Sequence, residues 1–141
     1  MFTLTSYSTS FGALLVVLAT LLVQMFIAGS SKAKLPGAIP GKIDPALSHE
    51  AFAYRAHRTF HNSLENLPLL LGSAFLAFFI GTNPGWTAAF LWTFTLARLV
   101  HMALYYLLVT EKNPSPRSYF YIIALAANAG LLGLCGMTLL R

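Results

Sequence analysis

Four stretches of this chain run for about twenty residues or more with little charge, and they limit the folds open to it more than any motif does. An α-helix rises about 1.5 Å per residue, so roughly 20 apolar residues cross the ~30 Å hydrocarbon core of a bilayer. The runs lie at about 11–28, 51–80, 86–109 and 119–140, and the second is long enough to project beyond the hydrocarbon. Only 9% of the 141 residues are charged. A soluble domain carries about 25%, so this chain cannot cover itself with a water-soluble surface. The expected fold is all-α: an integral membrane four-helix bundle, with residues 1–141 forming a single transmembrane domain.

No Lys or Arg precedes the first run, and the earliest is Lys32, after it. A secretory leader carries its positive charge on the other side. The run is therefore expected to remain as a span, although Ala28 to Ser31 are small enough to mimic a cleavage site. The segment from Ser30 to Glu50 holds Lys32, Lys34, Lys42, Asp44 and three prolines, and reads as a polar loop. Gly81-Thr82-Asn83-Pro84-Gly85 reads as a tight uncharged turn, and Thr110 to Arg117 as a short charged one. The first and third connections share a membrane face and hold Lys32, Lys34, Lys42, Lys112 and Arg117. The opposite face holds only the N-terminal amine and Arg141. The positive-inside rule then places loops one and three in the cytoplasm and both termini on the opposite side. The net charge of +5 reads as this loop bias and as contact with anionic membrane lipids, not as a nucleic-acid footprint.

Two spans carry polar groups where an apolar solvent makes them costly. In the second, Arg58, Asn62 and Glu65 fall within about 60° of one another on the helix, with Arg55 on the flank. In the third, Arg98, His101 and Tyr105 share a face in the same way. The tight turn makes these helices antiparallel neighbours. Counted from it, Glu65 lies about 24 Å up its helix, Arg98 about 20 Å and His101 about 24 Å. Asn62 and Tyr105 lie at about 28 and 30 Å. The stripes can thus meet at one depth, with Glu65 and Arg98 as the expected charge pair. Such a pair by itself can serve only to fix helix register. Arg55, Arg58 and Arg117 nevertheless outnumber the acidic partners at that boundary. Snorkelling explains one or two such cations, whereas a cluster points to an anionic ligand gripped by forked donors.

The remaining features read as structure. Ala126, Gly130, Gly133 and Gly136 give the fourth span a small-residue surface suited to close helix packing, and Asn128 reads as an interhelical hydrogen-bonder. Trp86 reads as an interfacial anchor. Cys135, the single cysteine, cannot form an intrachain disulfide. His57 and His61 stand at i, i+4 without an evident third ligand, so no metal is expected.

The segment Arg58-Thr59-Phe60-His61-Asn62-Ser63-Leu64-Glu65-Asn66-Leu67-Pro68 resembles the signature of the MAPEG superfamily, membrane-associated proteins in eicosanoid and glutathione metabolism that include the microsomal glutathione transferases. The recurring pattern is an arginine, an asparagine four residues on and a glutamate three after that. Ala97-Arg98-Leu99-Val100-His101-Met102-Ala103-Leu104-Tyr105 resembles the superfamily's second conserved stretch. Arg117 stands where the superfamily places its catalytic arginine.

The resemblance implies a homotrimer with glutathione bound between neighbouring subunits at the cytoplasmic boundary. It implies that Arg58, Asn62, Glu65, Arg98, His101 and Tyr105 hold the tripeptide, with Arg55 as a further carboxylate contact and Arg117 beside the sulfur. The implied activity is that of a glutathione S-transferase, with glutathione peroxidase activity on the same thiol. Glutathione would be the co-substrate, and a lipophilic electrophile or lipid hydroperoxide the partner, in a detoxification role. Two other readings stay open: a non-catalytic lipid-binding member of the superfamily, and a small ion-coupled transporter in which Glu65 carries a proton.

Overall fold

The computed structural model describes residues 3–140, so the N-terminal amine and Arg141 of the topology argument lie outside the described residues. A short 3-10 helix, Leu4–Tyr7, leads into α1 (Ser8–Ala33), followed by α2 (Phe52–Ile80), α3 (Pro84–Leu107) and α4 (Pro116–Leu139). No strand occurs among the described residues. All four long helices are long and apolar enough to cross a membrane, as an integral multi-pass protein requires.

Local chemistry explains where the helices begin and end. Gly81 closes α2 in the left-handed conformation (φ 72°) that glycine adopts without a Cβ penalty. Two residues on, Asn83 caps α3 by accepting from the Trp86 backbone N–H at 3.1 Å, with Pro84 in the first helical position. Pro116 plays the same part in α4, where Ser115 and Ser118 form a reciprocal capping box. These caps start α3 and α4 two to three residues before the apolar runs that mark them in sequence. α3 stops at Leu107, because Leu108 turns extended. The Tyr106 carbonyl near that end accepts from Arg55 Nη2 at 3.4 Å.

The core is built largely from alanine. Ala13, Ala74, Ala77, Ala97, Ala124 and Ala127 are buried among Leu70, Leu91, Phe94 and Leu131. Small side chains let helix backbones approach closely, which is how helices associate when the solvent is as apolar as the core. α3 and α4 share the most extensive contact, while α1 rests on α2 and α3. Large apolar side chains such as Leu15, Phe26, Phe79, Leu107 and Ile122 point outward. Trp86 is exposed at the end of the bundle that holds the α2–α3 turn.

The small-residue surface expected on α4 is only partly used within the chain. A Cβ on Gly130 would collide with the Phe90 ring, whereas Gly133 and Gly136 have no neighbour within 4 Å. The face of α4 that packs inside the bundle carries Ala124, Ala127, Leu131 and Cys135 instead.

Buried hydroxyls are satisfied locally: Thr59, Thr87 and Thr95 each donate to the carbonyl four residues back. The polar cross-link between α2 and α4 is Ser73 Oγ donating to Asn128 Oδ1 at 2.7 Å. Ser73 Oγ also lies 3.0 Å from the Leu70 carbonyl. Replacing Asn128 by Ala therefore leaves Ser73 with a partner and is expected to cost only about 1 kcal/mol. Equilibrium unfolding in mixed micelles measures this; a loss of several kcal/mol would show that Asn128 holds more than this one bond.

Candidate functional site

Loop one and loop three meet at the same end of the bundle, and three side chains join them. Arg55, buried in the first turns of α2, donates Nη1 to the carbonyls of His49 (2.7 Å) and Glu50 (2.9 Å) and Nη2 to Tyr106. The Glu111 carboxylate takes both donors of His49: the backbone N–H at 2.9 Å and the ring Nδ1 at 2.8 Å. Among the described residues this is the one contact within 4.0 Å between a basic side chain and a carboxylate, and it is an ion pair when the ring carries both protons. A carboxylate only accepts, so Nδ1 carries a proton, and in the neutral ring Nε2 is left as an acceptor. The Tyr105 hydroxyl donates to that nitrogen across 3.3 Å.

A cleft opens beside this junction. Asn62 from α2, His101 and Tyr105 from α3, and Arg117, Ser118 and Tyr121 from α4 line it, with His49 and Glu111 at its rim. Arg117 is buried at the start of α4. Its guanidinium lies over the Tyr105 ring, 4.0 Å from the centroid. Nε donates to Ser115 Oγ at 3.3 Å and Nη2 to the Thr110 carbonyl at 3.2 Å, while Nη1 has no partner. Asn62 Oδ1 and His101 Nδ1 are likewise buried without partners. An aromatic face, a serine hydroxyl and a backbone carbonyl thus fix the cation in one orientation and leave its Nη1 amino group without a protein partner.

Four of the residues singled out in sequence, Asn62, His101, Tyr105 and Arg117, therefore share one cleft. The other four do not line it. Arg55 ties loop one to the end of α3 through backbone carbonyls on both Nη atoms, and only its Nε is unpaired. Arg58 is half-buried and Glu65 is exposed on the outer surface of α2. Arg98 is buried in a separate narrow crevice with Gln24, Thr20 and Ser63 between α1, α2 and α3.

The expected Glu65–Arg98 ion pair is not made. Arg98 Nη2 donates instead to Ser63 Oγ at 3.1 Å. Ser63 and Glu65 project about 200° apart around α2, so a guanidinium that reaches the first faces away from the second. Depth matching along the helices was sound, but rotation around α2 decided the partner. In the same crevice Arg98 Nη1 and Gln24 Oε1, a donor and an acceptor, are both buried without partners.

Three contributors were not singled out. His49 and Glu111 sit in loops, where no periodicity marks them, and Tyr121 looks like one more aromatic in an apolar span. The signal for Glu111 was its place as an acidic residue in an otherwise basic connection. Its carboxyl is held below the usual carboxylate range, first by the His49 backbone N–H and then by the His49 ring. A depressed folded-state value means that the junction contributes stability above the ordinary carboxyl value of 4.5, and loses it as pH falls through the lower folded one. Glu111→Gln is accordingly expected to flatten the dependence of thermal stability on pH in the acid range, measured by unfolding in micelles. A variant with the wild-type pH slope would contradict the pairing.

The sequence profile of the MAPEG family matches residues 7–137, which covers all four helices. Comparisons with curated proteins and with solved structures gave no match. The family groups membrane proteins of glutathione and eicosanoid metabolism, and both motif segments and Arg117 fall inside the matched region. With four membrane-length helices, a polar cleft at one end of the bundle and a match over nearly its whole length, the chain belongs to the MAPEG family.

Proposed function

We propose that this protein is a membrane-bound glutathione transferase with peroxidase capacity, and that the cleft at Asn62, His101, Tyr105 and Arg117 receives the tripeptide. The observation that carries this reading is the state of Arg117. It is a buried guanidinium braced on a tyrosine face and two oxygen acceptors, with its Nη1 amino group unpaired. A free thiol has a pKa of about 8.5 and is mostly protonated at neutral pH. A fixed guanidinium beside the sulfur favours the thiolate, which is the nucleophile. The bilayer on the outer side of α4 is where lipophilic acceptors dissolve.

In conjugation the thiolate carbon–sulfur bond forms as the leaving group departs from the electrophile. In hydroperoxide reduction the sulfur takes the distal oxygen as the O–O bond breaks, and a second glutathione resolves the oxidised sulfur to a disulfide. Both steps begin with the same activated thiol, and neither calls on Cys135 or a metal.

Glu65 supports the reading of a homotrimer. A carboxylate on the outer surface of a membrane helix is costly against lipid and normally faces another protein surface. Arg58 and Glu65 lie about 20° apart around α2, so a neighbouring copy that covers this face would bring both to a shared ligand. The same reading places loops one and three in the cytoplasm, since their lysines and Arg117 lie at one end of the bundle.

Purified protein should bind glutathione by calorimetry and turn over a chlorinated nitroaromatic or an organic hydroperoxide. Arg117→Ala is expected to lower kcat by about a hundredfold with a smaller effect on affinity, as for loss of one electrostatic stabiliser. Arg58→Ala should instead weaken binding by roughly tenfold. Lipid bound without any glutathione affinity would favour a non-catalytic member. Proton-coupled uptake into vesicles that Glu65→Gln abolishes would favour a transporter.

A further inference from the structure

We propose that His49, oriented by Glu111, is a positioning residue for the cleft: it fixes the direction of the Tyr105 hydrogen bond and keeps the Tyr105 oxygen facing the ligand as an acceptor. The inference deepens the reading of the cleft as a glutathione site and rests on it for the identity of the ligand.

Glu111 accepts from His49 Nδ1 at 2.8 Å and from the backbone N–H of the same residue at 2.9 Å. These two bonds fix both the ring's tautomer and its rotation, since a carboxylate has no proton to give back. In the neutral ring the remaining nitrogen can only accept, and the group within reach is the Tyr105 hydroxyl at 3.3 Å. The phenol has one proton. Once that proton points at His49, the oxygen offers the cleft lone pairs and no donor. Over the same ring, Arg117 lies 4.0 Å from its centroid. A ligand in the cleft therefore meets an acceptor at the Tyr105 oxygen and a donor at Arg117 Nη1. That combination suits a thiol or amide group that gives a hydrogen bond beside a sulfur that receives charge.

The arrangement is sensitive to protonation. When the His49 ring takes a second proton, Nε2 becomes a donor. Tyr105 must then accept from it and turn its own O–H toward the cleft, which reverses the polarity offered to the ligand. The groups that bear on this ring are Tyr54 and Arg55 from α2, Tyr105 from α3, Glu111 and Lys112 from the turn, and Arg117 from α4, with Glu50 beside it in the chain. Among these, Glu111 is the acidic group that touches the ring, and the His49 side chain is only 17% exposed. Arg55 holds the backbone of the same residue in place through its carbonyl.

The test uses full-length protein in micelles with 15N-labelled histidine, the His49 signals being those lost in His49→Gln. The expected spectrum shows a protonated Nδ1 and an unprotonated Nε2 for the neutral ring. Glu111→Gln should shift it toward a mixture of tautomers. In parallel, calorimetry follows glutathione affinity against pH. His49→Leu is expected to weaken binding roughly three- to tenfold, as for one lost hydrogen bond. His49→Gln, whose amide oxygen accepts from Tyr105 but does not titrate, should bind nearly as wild type at neutral pH and lose the acid limb of the profile. A neutral ring protonated on Nε2 would overturn the proposal. So would His49→Leu binding with wild-type affinity and an unchanged pH profile. If wild-type protein binds no glutathione at all, the ligand assignment fails separately, and the tautomer spectrum still decides whether His49 orients Tyr105.

Discussion

Lipid offers a polypeptide no hydrogen-bond partners, so every backbone polar group placed at membrane depth must be satisfied by the protein itself. Most features of this protein follow from that demand. Four helices satisfy their own backbones, and the buried threonines bond back to the turn beneath them. The core is alanine-rich, because close approach of helices replaces the hydrophobic drive that water would supply. Where polar side chains accumulate, they gather at the end of the bundle that carries loops one and three. There the chain can spend them on one another and on a ligand.

That end is organised by two arginines that do different work. Arg55 gives both Nη groups to backbone carbonyls from loop one and from the close of α3, with only Nε left unpaired, so it sets how the loop sits over the helices. Arg117 is held as firmly, by Tyr105, Ser115 and Thr110, but keeps one donor unspent. The first is a strut and the second is poised for chemistry. Composition and spacing cannot separate them, because both are arginines within a turn of a membrane boundary. What separates them is which carbonyls fold back within reach.

The helices were legible because length and hydropathy are local properties, and so were their ends: glycine, asparagine and proline between α2 and α3, and the serine–proline start of α4. The depth of the polar stripes was legible too, since rise per residue is constant. Asn62, His101, Tyr105 and Arg117 come together as depth alone suggests. The partner of Arg98 was not legible. Two residues along α2 change the direction of a side chain by about 200°, and Ser63 takes the bond assigned to Glu65. His49 and Glu111 were hidden for another reason. Their meeting depends on how a long loop folds across a short turn, and no periodicity records that. Glu65, left exposed on the outside of α2, is the residue whose position a single chain explains least and a neighbouring copy explains best.

The central claim is that the cleft at Arg117 converts bound glutathione to its thiolate. The most direct measurement is a thiolate absorbance titration of glutathione with the purified wild-type protein at neutral pH. The account predicts stoichiometric thiolate on mixing and a bound thiol that titrates well below its value in free solution. An absorbance that follows free glutathione at every pH would contradict it.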